Sequence, residues 1–304
     1  MYINHATINE IIFNQFQEYA SEIEKIEMGV MTFKYKVTVK NIHYILRIYP
    51  PENTTRVDLE FKIMQQLFIG GCKVPEPVAY NDTTTTRYLF YKFIEGVPLL
   101  NLLPSLDTTT ITAVAMQLLQ NILCFSKKEV QGFGFLLTAE GPRSSWQIFL
   151  LDALDRGTRY LSAIEELDQT TIDVLLDFVQ KKISLVHIEK SCLVWSDFSP
   201  GNIIINHNHL AGFVDFEGCV SGDPLMALGY LFAIEGHSYF FEAVMTGYKK
   251  YFSVSYEQVI FYTLIRLFRL SKYFTHSFPT GISRDPLLAY FKGVPIAIDY
   301  IKAL

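Results

Sequence analysis

Apolar and polar positions alternate most regularly in the first third of the chain, which is the pattern of strands with one buried face. Between residues 33 and 40 the odd positions are apolar or aromatic and the even positions carry lysine or threonine. The polar pair Lys40-Asn41 then leads into a second apolar run from Ile42 to Tyr49. Two such runs joined by a short polar turn predict antiparallel strands.

Helical spacing of apolar residues flanks these strands on both sides. The stretch from Ile8 to Tyr19 predicts a short amphipathic helix, and the stretch from Arg56 to Phe68 predicts a second one. The apolar stripe of the second helix consists of Val57, Phe61, Met64 and Phe68. Glu60 falls on the same side, and a carboxylate on an inward helix face is unusual unless it is paired.

Arg47 is the candidate partner of Glu60, because a guanidinium in the strand Ile42 to Tyr49 can bind a carboxylate through two hydrogen bonds. The alternative places Glu60 at a solvated edge, paired with Lys62 or with no residue. The first interpretation predicts a buried ion pair that joins the strand to the helix.

The pattern changes near Gly96. The last predicted strand of the first region, Tyr88 to Ile94, is closed by Glu95-Gly96, and the residues beyond it are mainly helical. The longest apolar stretches in the second region are Ile111 to Phe125, Leu225 to Ile234 and Tyr256 to Phe274. The longest uninterrupted apolar run, Pro224 to Ile234, is shorter than the ~20 residues that a membrane span needs.

A hairpin in the second half of the chain directs three oxygen-bearing side chains toward one place. The runs Ile203 to Ile205 and Leu210 to Val214 flank a polar turn, so Asn202 and Asp215 fall nearly opposite each other at its open end. Asp197 precedes Asn202 by five residues, across a Ser-Pro-Gly turn, and can reach the same end. Such oxygen ligands suit Mg²⁺.

The block that contains this hairpin carries an ordered set of motif residues. They are Asp197, Pro200, Gly201, Asn202, Asp215, Phe216, Glu217, Gly222, Asp223 and Pro224. An aspartate, an asparagine five residues later, a hairpin and a second aspartate follow each other as in kinases. The block resembles the aminoglycoside phosphotransferase and choline kinase-like family of small-molecule kinases.

This resemblance implies an α+β, protein-kinase-like bilobal fold. Its N-lobe, residues 1–95, would be a small antiparallel β-sheet with one main helix and would bind the nucleotide. Its C-lobe, residues 96–304, would be larger and mostly helical and would hold the catalytic loop and the acceptor pocket. The implied reaction moves the γ-phosphate of ATP or GTP, assisted by Mg²⁺, to a hydroxyl of a small molecule. The acceptor would be an aminoglycoside-like antibiotic or a small metabolite alcohol.

The resemblance also implies roles for the motif residues. Asp197 would accept the proton of the acceptor hydroxyl, and Asn202 and Asp215 would bind Mg²⁺. Glu217 could reach a metal-bound water or the acceptor if the chain stays extended after Asp215, and Asp223 is a weaker candidate on the same side.

In the N-lobe, the same resemblance implies that Arg47, held by Glu60, positions the α- and β-phosphates. It places Gly29 in the loop that covers the phosphates, although a single glycine marks an ordinary hairpin turn at least as often.

Two positions depart from the family pattern. The usual histidine before the catalytic aspartate is Trp195, and the usual aspartate after G-D-P is Ala227. In kinase-like folds those two residues brace the catalytic loop rather than take part in chemistry. We therefore expect an apolar brace built on Trp195.

Two groups of charged residues lie outside the motif block. Asp152 and Asp155 share a helix face and could hold a cationic acceptor, or they could be solvated. Arg266, Arg269 and Lys272 form a basic stripe that we expect on a solvated face.

Composition limits the alternatives. Apolar residues make up 50% and charged residues 19% of the 304-residue chain, which excludes disorder. A net charge of −5 without a long basic run makes nucleic acid and anionic membranes poor partners. The cysteines lack C-x-x-C spacing and no signal-peptide pattern is visible, so we expect a reducing, cytoplasmic location.

Two alternative functions remain on the same fold. The departures at Trp195 and Ala227 raise the possibility of a nucleotide-binding pseudokinase or scaffold with weak or no transfer. A protein kinase is disfavoured, because Gly222-Asp223-Pro224 follows Asp215 too closely for a long activation loop and no A-P-E segment is present.

Overall fold

The structure is a computed structural model. The residues it describes are 5–27, 31–83, 86–138, 141–188, 190–274 and 291–304. Gly29, the predicted member of a phosphate-covering loop, lies outside them.

A five-stranded antiparallel sheet forms the N-terminal part of the protein. Its strands are β1 (Glu22–Ile26), β2 (Phe33–Val39), β3 (Ile42–Tyr49), β4 (Pro77–Asp82) and β5 (Arg87–Lys92), in the spatial order β1-β2-β3-β5-β4. The turn residues Lys40 and Asn41 have φ of 51° and 62°, as a two-residue turn between twisted strands requires. The predicted β2–β3 hairpin is therefore confirmed.

One face of the sheet is covered by α1 (His5–Phe16). Ile8, Ile11 and Ile12 of this helix are buried in a cluster with side chains of β2, β3 and β5. The helix ends earlier than the sequence predicts, because Gln17 adopts a left-handed φ of 53°. Tyr19, predicted on the apolar face, is consequently 66% exposed.

The other face of the sheet packs toward α2 (Val57–Ile69). The buried stripe of α2 consists of Val57, Glu60, Met64 and Leu67. Glu60 lies inward as predicted, but the assignment of Phe68 to the stripe is wrong, because that side chain is 41% exposed. Leu67, three residues after Met64, is the side chain that continues the inward face.

The rest of the described chain is mostly helical. Its helices are α3 (Leu99–Leu102), α4 (Thr108–Ser126), α5 (Trp146–Tyr160), α6 (Gln169–Ile183), α7 (Leu225–Glu235), α8 (Tyr239–Tyr248), α9 (Tyr256–Leu270) and α10 (Gly293–Lys302). Every residue of α7 is buried, and α7 packs against α9 at the centre of this region. One hydrophobic core continues from α2 and the sheet into these helices.

By length and composition α4 is apolar enough to cross a membrane. Its buried side chains, which include Leu118 and Phe125, lie in the main core, and α4 packs against α8. The most apolar window of α4 is 39% buried, so one face of the helix belongs to the core.

Two small sheets carry the motif block. One contains β6 (Val97–Pro98), β9 (Ile203–Asn206) and β10 (His209–Phe213), in the order β10-β9-β6. The other contains β7 (Gly134–Phe135), β8 (Cys192–Trp195) and β11 (Cys219–Gly222), in the order β7-β11-β8. The motif residues from Asp197 to Glu217 lie in the connections and strands between β8 and β11.

Candidate active site

The β9–β10 hairpin brings the predicted metal ligands together. Its turn residues His207 and Asn208 have φ of 47° and 62°, so the strands return in a tight hairpin. At the open end the Val214 amide donates a hydrogen bond of 3.0 Å to the Asn202 carbonyl oxygen. Asp215, the next residue, therefore lies beside Asn202 as the sequence predicts.

The loop before the hairpin places Asp197 against Asn202. Pro200–Asn202 form a short 3-10 turn that begins at Ser199. The Asn202 side-chain amide donates to Asp197 Oδ2 at 2.7 Å and to the Asp197 carbonyl oxygen at 3.2 Å. Because both bonds use Nδ2, the Asn202 Oδ1 atom is left on the opposite edge of the amide, where it can serve as an oxygen ligand.

Asp215 has a strained backbone and two cationic neighbours. Its φ of 68° lies in the left-handed region, which is rare for a residue other than glycine and is typical of functional sites. Arg47 Nη2 lies 2.8 Å from Asp215 Oδ1, and Lys34 Nζ lies 2.8 Å from Oδ2. Burial by itself would raise the pKa of Asp215, but the charges of Arg47 and Lys34 outweigh it and hold that pKa well below its usual range.

Arg47 is the centre of a buried charge network. Its Nη1 donates to Glu60 Oε1 at 2.7 Å, and its Nε donates to Thr32 Oγ1 at 2.9 Å. The Tyr49 hydroxyl donates to the other Glu60 oxygen at 2.7 Å. Arg47 is 1% and Glu60 0% exposed, so the predicted buried pair is present. Burial nevertheless raises the pKa of Glu60, against the opposing charge of Arg47.

The alternative position of Glu60, at a solvated edge beside Lys62, is wrong. Lys62 instead lies 3.4 Å from Asp58, on the outer side of α2. The two interpretations place Glu60 on different faces of α2. The helical period alone does not say which face is buried, because that depends on how α2 packs in the fold.

Glu217 also faces Arg47. Its Oε2 lies 2.6 Å from Arg47 Nη2, although the two atoms are not aligned as a hydrogen bond. Burial, helped by the negative charges of Asp215 and Glu60, raises the pKa of Glu217 to about 8 despite the nearby guanidinium. Glu217 thus lies on the same side as Asp215, as the sequence suggests.

Lys34 is a site residue that the sequence did not single out. It lies directly across from Arg47 in the β2–β3 pairing, so both side chains emerge from the same face of the sheet. The alternation in β2 places Lys34 on its polar face, but only the packing of that face toward Asp215 distinguishes it from a solvated lysine.

Trp195 contacts the backbone of Asp215 and helps to hold it in place. Its indole Nε1 donates a hydrogen bond of 3.0 Å to the Asp215 carbonyl oxygen, and its ring centroid lies 4.8 Å from that of Phe213. With Ala227 it lines an apolar cavity of about 10 Å³. The expected brace on Trp195 is therefore aromatic, with one added hydrogen bond to the strained residue.

We predict that Trp195→Phe lowers the free energy of unfolding by about 1–3 kcal/mol, because the Asp215 carbonyl loses its donor while most ring packing remains. The variant should also weaken Mg²⁺–nucleotide binding, since the backbone that orients Asp215 is released. Denaturant unfolding and titration calorimetry measure the two effects. Trp146→Phe is the matched control, because the Trp146 indole donates to the Tyr262 hydroxyl at 3.2 Å instead. It should change stability but not affinity; equal losses of affinity in both variants would contradict the bracing role.

Asp223 belongs to the scaffold. Its Oδ1 accepts the Leu225 amide at the start of α7 at 2.9 Å, and its Oδ2 accepts the Tyr262 hydroxyl at 2.6 Å. The preceding Gly222 is required by close packing, because a Cβ there would lie 2.2 Å from Trp146 Cζ3. Both carboxylate oxygens of Asp223 are therefore engaged by α7 and α9, and its suggested place on the same side as Asp215 stays a prediction.

A sequence profile described as the phosphotransferase enzyme family matches residues 22–260, which include the charge network and the whole motif block. The chain belongs to the phosphotransferase enzyme family. No curated protein matches the chain in a sequence search.

Solved structures of this type are similar across nearly the whole chain. A thermostable variant of aminoglycoside phosphotransferase APH(4)-Ia, in a ternary complex with ADP and hygromycin B, has a TM-score of 0.72 at 16% identity, with 98% of this chain and 97% of that chain covered. The GDP complex of a variant of aminoglycoside 2′-phosphotransferase-IIIa has a TM-score of 0.70 at 17% identity, with 99% and 98% covered. A proposed fructosamine-3-kinase from Thermobifida fusca has a TM-score of 0.63 at 14% identity, with 99% of each chain covered. The predicted α+β, protein-kinase-like fold is confirmed.

The basic stripe of α9 differs from the expectation for a solvated face. Arg266 Nη2 lies 3.4 Å from Asp197 Oδ1, and the Arg266 side chain is only 11% exposed. The Arg269 guanidinium lies over the rings of Phe135 and Phe149, at 4.1 and 4.7 Å from their centroids. Both arginines of this family member therefore face inward, and the solvated interpretation is wrong for them.

The acidic pair of α5 is already engaged within the protein. Asp152 Oδ2 accepts from Arg143 Nε at 2.7 Å, and Asp155 forms an ion pair with Arg159 one turn along the helix. Neither carboxylate is presented as an unpaired site for a cationic acceptor.

Proposed function

We propose that the protein transfers the γ-phosphate of ATP or GTP to a hydroxyl group of a small molecule, with Mg²⁺ as the metal. Membership of the phosphotransferase enzyme family supports the general class of reaction. The observation that carries the proposal is the convergence of Asp197, Asn202 and Asp215 beside the buried Arg47–Glu60 pair.

The residues at the hairpin fit a magnesium ion. Asp215 stays ionised because Arg47 and Lys34 lower its pKa, and the Asn202 Oδ1 atom faces away from its own hydrogen bonds. Glu217 Oε2 is a buried oxygen that accepts no hydrogen bond within the described residues, although Arg47 Nη2 lies 2.6 Å from it. Oxygen donors of this kind suit Mg²⁺, which would supply charge neutralisation for the phosphates. We assign Asn202 and Asp215 as its ligands and Glu217 as a residue that reaches a metal-bound water.

Asp197 is proposed as the base. Its Oδ2 is oriented by the Asn202 amide, and its side chain is 39% exposed, so an acceptor can approach it. The acceptor oxygen forms a bond to the γ-phosphorus while the bond from that phosphorus to the β–γ bridging oxygen breaks. The hydroxyl proton passes to Asp197, and the nucleoside diphosphate leaves.

Arg47 and Lys34 are the proposed phosphate-binding cations. Arg47 is held in place by hydrogen bonds to Glu60 and Thr32, and Glu60 is in turn held by the Tyr49 hydroxyl. The guanidinium of Arg47 is therefore positioned before any nucleotide binds. The N-lobe, residues 1–95, is proposed to bind the nucleotide, with Gly29 in the loop that covers the phosphates. The C-lobe, residues 96–304, is proposed to hold the acceptor pocket. A cytoplasmic location remains part of the proposal.

The pseudokinase alternative rests on the departures at Trp195 and Ala227, and neither of them replaces a residue with a proposed role in transfer. Here Asp197, Asn202 and Asp215 are all present and joined to Arg47 or to each other. No contact in the described chain favours the scaffold alternative.

The direct test is a phosphate-transfer screen of the purified protein with ATP and GTP across several classes of hydroxyl acceptor. We expect acceptor-dependent release of nucleoside diphosphate that disappears when Mg²⁺ is removed by chelation and returns when it is added back. Nucleotide binding without transfer to any class of acceptor would instead favour the pseudokinase.

A further inference from the structure

Beside Asp197 lies a cation, Arg266, that uses little of its hydrogen-bonding capacity within the described part of the chain. A guanidinium has five N–H donors. Within the described residues, Arg266 makes one hydrogen bond, of 3.4 Å, to Asp197 Oδ1. Its remaining polar contact is a cation–π contact with the Tyr230 ring, 4.8 Å from the guanidinium carbon to the ring centroid. Most N–H donors of this side chain, which is only 11% exposed, therefore have no hydrogen-bond partner among the described residues.

The hydroxyl of Tyr230 is a second group whose hydrogen-bonding capacity is unused among the described residues. It is 5% exposed, and its hydroxyl has no hydrogen-bond partner among the described residues. A buried hydroxyl without a partner is costly, so such a group in a functional region points to a missing ligand atom or water. Tyr230 lies on α7 under Arg266, and it is close enough to Asp197 and Arg269 to interact electrostatically with both.

Two cationic side chains and one carboxylate act on the Tyr230 hydroxyl. Arg266 and Arg269 both lie near Tyr230, whereas Asp197 is the carboxylate that interacts with it. The acidic side chains of the neighbouring α5, Asp152 and Asp155, are held by arginines of their own. A polycationic acceptor would meet Arg266 with like charge, and such a juxtaposition is unfavourable.

We propose that Arg266, together with the Tyr230 hydroxyl, binds an anionic group of the acceptor, so the acceptor is a small hydroxy compound that carries a carboxylate or a phosphate monoester. The inference rests on the proposed phosphate transfer. A guanidinium binds either group through two parallel hydrogen bonds, and its contact with Asp197 places the anion only a few atoms from the reacting hydroxyl.

The test compares ligands that differ only in charge. Wild-type protein with Mg²⁺ and a non-hydrolysable ATP analogue is titrated with 4-hydroxybutyrate, 1,4-butanediol and 4-amino-1-butanol, and in a second arm with glycerol 3-phosphate and glycerol. Charge-assisted hydrogen bonds of 1.5–3 kcal/mol predict that an anionic probe binds about tenfold or more tightly than its neutral match. The two arms distinguish a carboxylate site from a phosphate site.

Variants assign the effect to Arg266. Arg266→Gln should abolish the preference for the anion, and Arg266→Lys should restore part of it, with thermal unfolding to verify that both fold. The matched control is Lys249→Gln, which removes an exposed positive charge from the same helical region and should leave the preference unchanged.

Three outcomes overturn the inference: the amine binds as tightly as the acid, no anionic probe binds more tightly than its neutral match, or Arg266→Gln keeps the preference. A failure of the proposed phosphate transfer would give a different result from a failure of this inference. It would appear as absence of transfer to every acceptor while the charge preference and its dependence on Arg266 persist.

Discussion

Asp197→Asn is expected to lower the rate of phosphate transfer by about 10²–10⁴-fold, the range that a positioned proton acceptor contributes. The introduced amide keeps the size of the side chain and can still accept from the Asn202 amide, which in the wild type lies 2.7 Å from Asp197 Oδ2. It cannot take the proton of the acceptor hydroxyl. Binding of Mg²⁺–nucleotide should be nearly unchanged, because the proposed metal ligands and phosphate-binding cations remain.

Transfer is measured by release of nucleoside diphosphate under saturating acceptor, and nucleotide affinity by calorimetry. Asp177→Asn is the matched control, since it removes a carboxylate from the exposed face of α6, where it pairs with Lys181. If the Asp197 variant turned over as fast as this control, Asp197 would not be the base. If it lost nucleotide binding as well, its role would be structural.

Arg47→Met is expected to lower the free energy of unfolding by about 3–5 kcal/mol, because it leaves the buried carboxylate of Glu60 without its cation. Asp215 and Glu217 lose the same partner. Nucleotide affinity should fall together with stability, since the proposed phosphate-binding cation is gone.

A second variant separates these two effects. Arg47→Met combined with Glu60→Gln removes the buried Arg47–Glu60 pair, although Asp215 and Glu217 still lose their cation, and the new amide oxygen can still accept from the Tyr49 hydroxyl. Replacing a complete buried ion pair costs much less than breaking it, so this double variant should recover a measurable part of the lost stability in urea unfolding. It should not recover nucleotide binding. Recovery of binding with stability would show that Arg47 acts only as scaffold.

The strands and the hairpin were predictable because their signals are local. Alternation across β2 and β3, the polar turns, and the spacing of Asn202 and Asp215 depend on neighbours along the chain. The buried Arg47–Glu60 pair was also accessible, since a charged residue on an apolar helix face requires a partner. The motif block indicated the fold because its residue order is specific.

Errors arose where a side chain's environment comes from distant parts of the chain. Phe68 and Tyr19 continue an apolar pattern but lie beyond the surface that the fold buries. Arg266 has the sequence context of a solvated stripe, and only the position of α9 against the loop that carries Asp197 brings it close to that residue. Lys34 gives no local signal either, because its partner Asp215 lies 181 residues away.

The sequence alone therefore determined the main strands and helices, the kinase-like order of the motif and the convergence of the Asp197, Asn202 and Asp215 side chains. These follow from periodicity, turn chemistry and spacing, which act over a few residues. The tertiary structure decided the charge surrounding those side chains: Lys34 and Arg47 on Asp215, Trp195 beneath its carbonyl oxygen, and Arg266 beside Asp197. Electrostatic and packing interactions depend on distance in space, and distance in space is set only when the N-terminal sheet and the helices pack around one core.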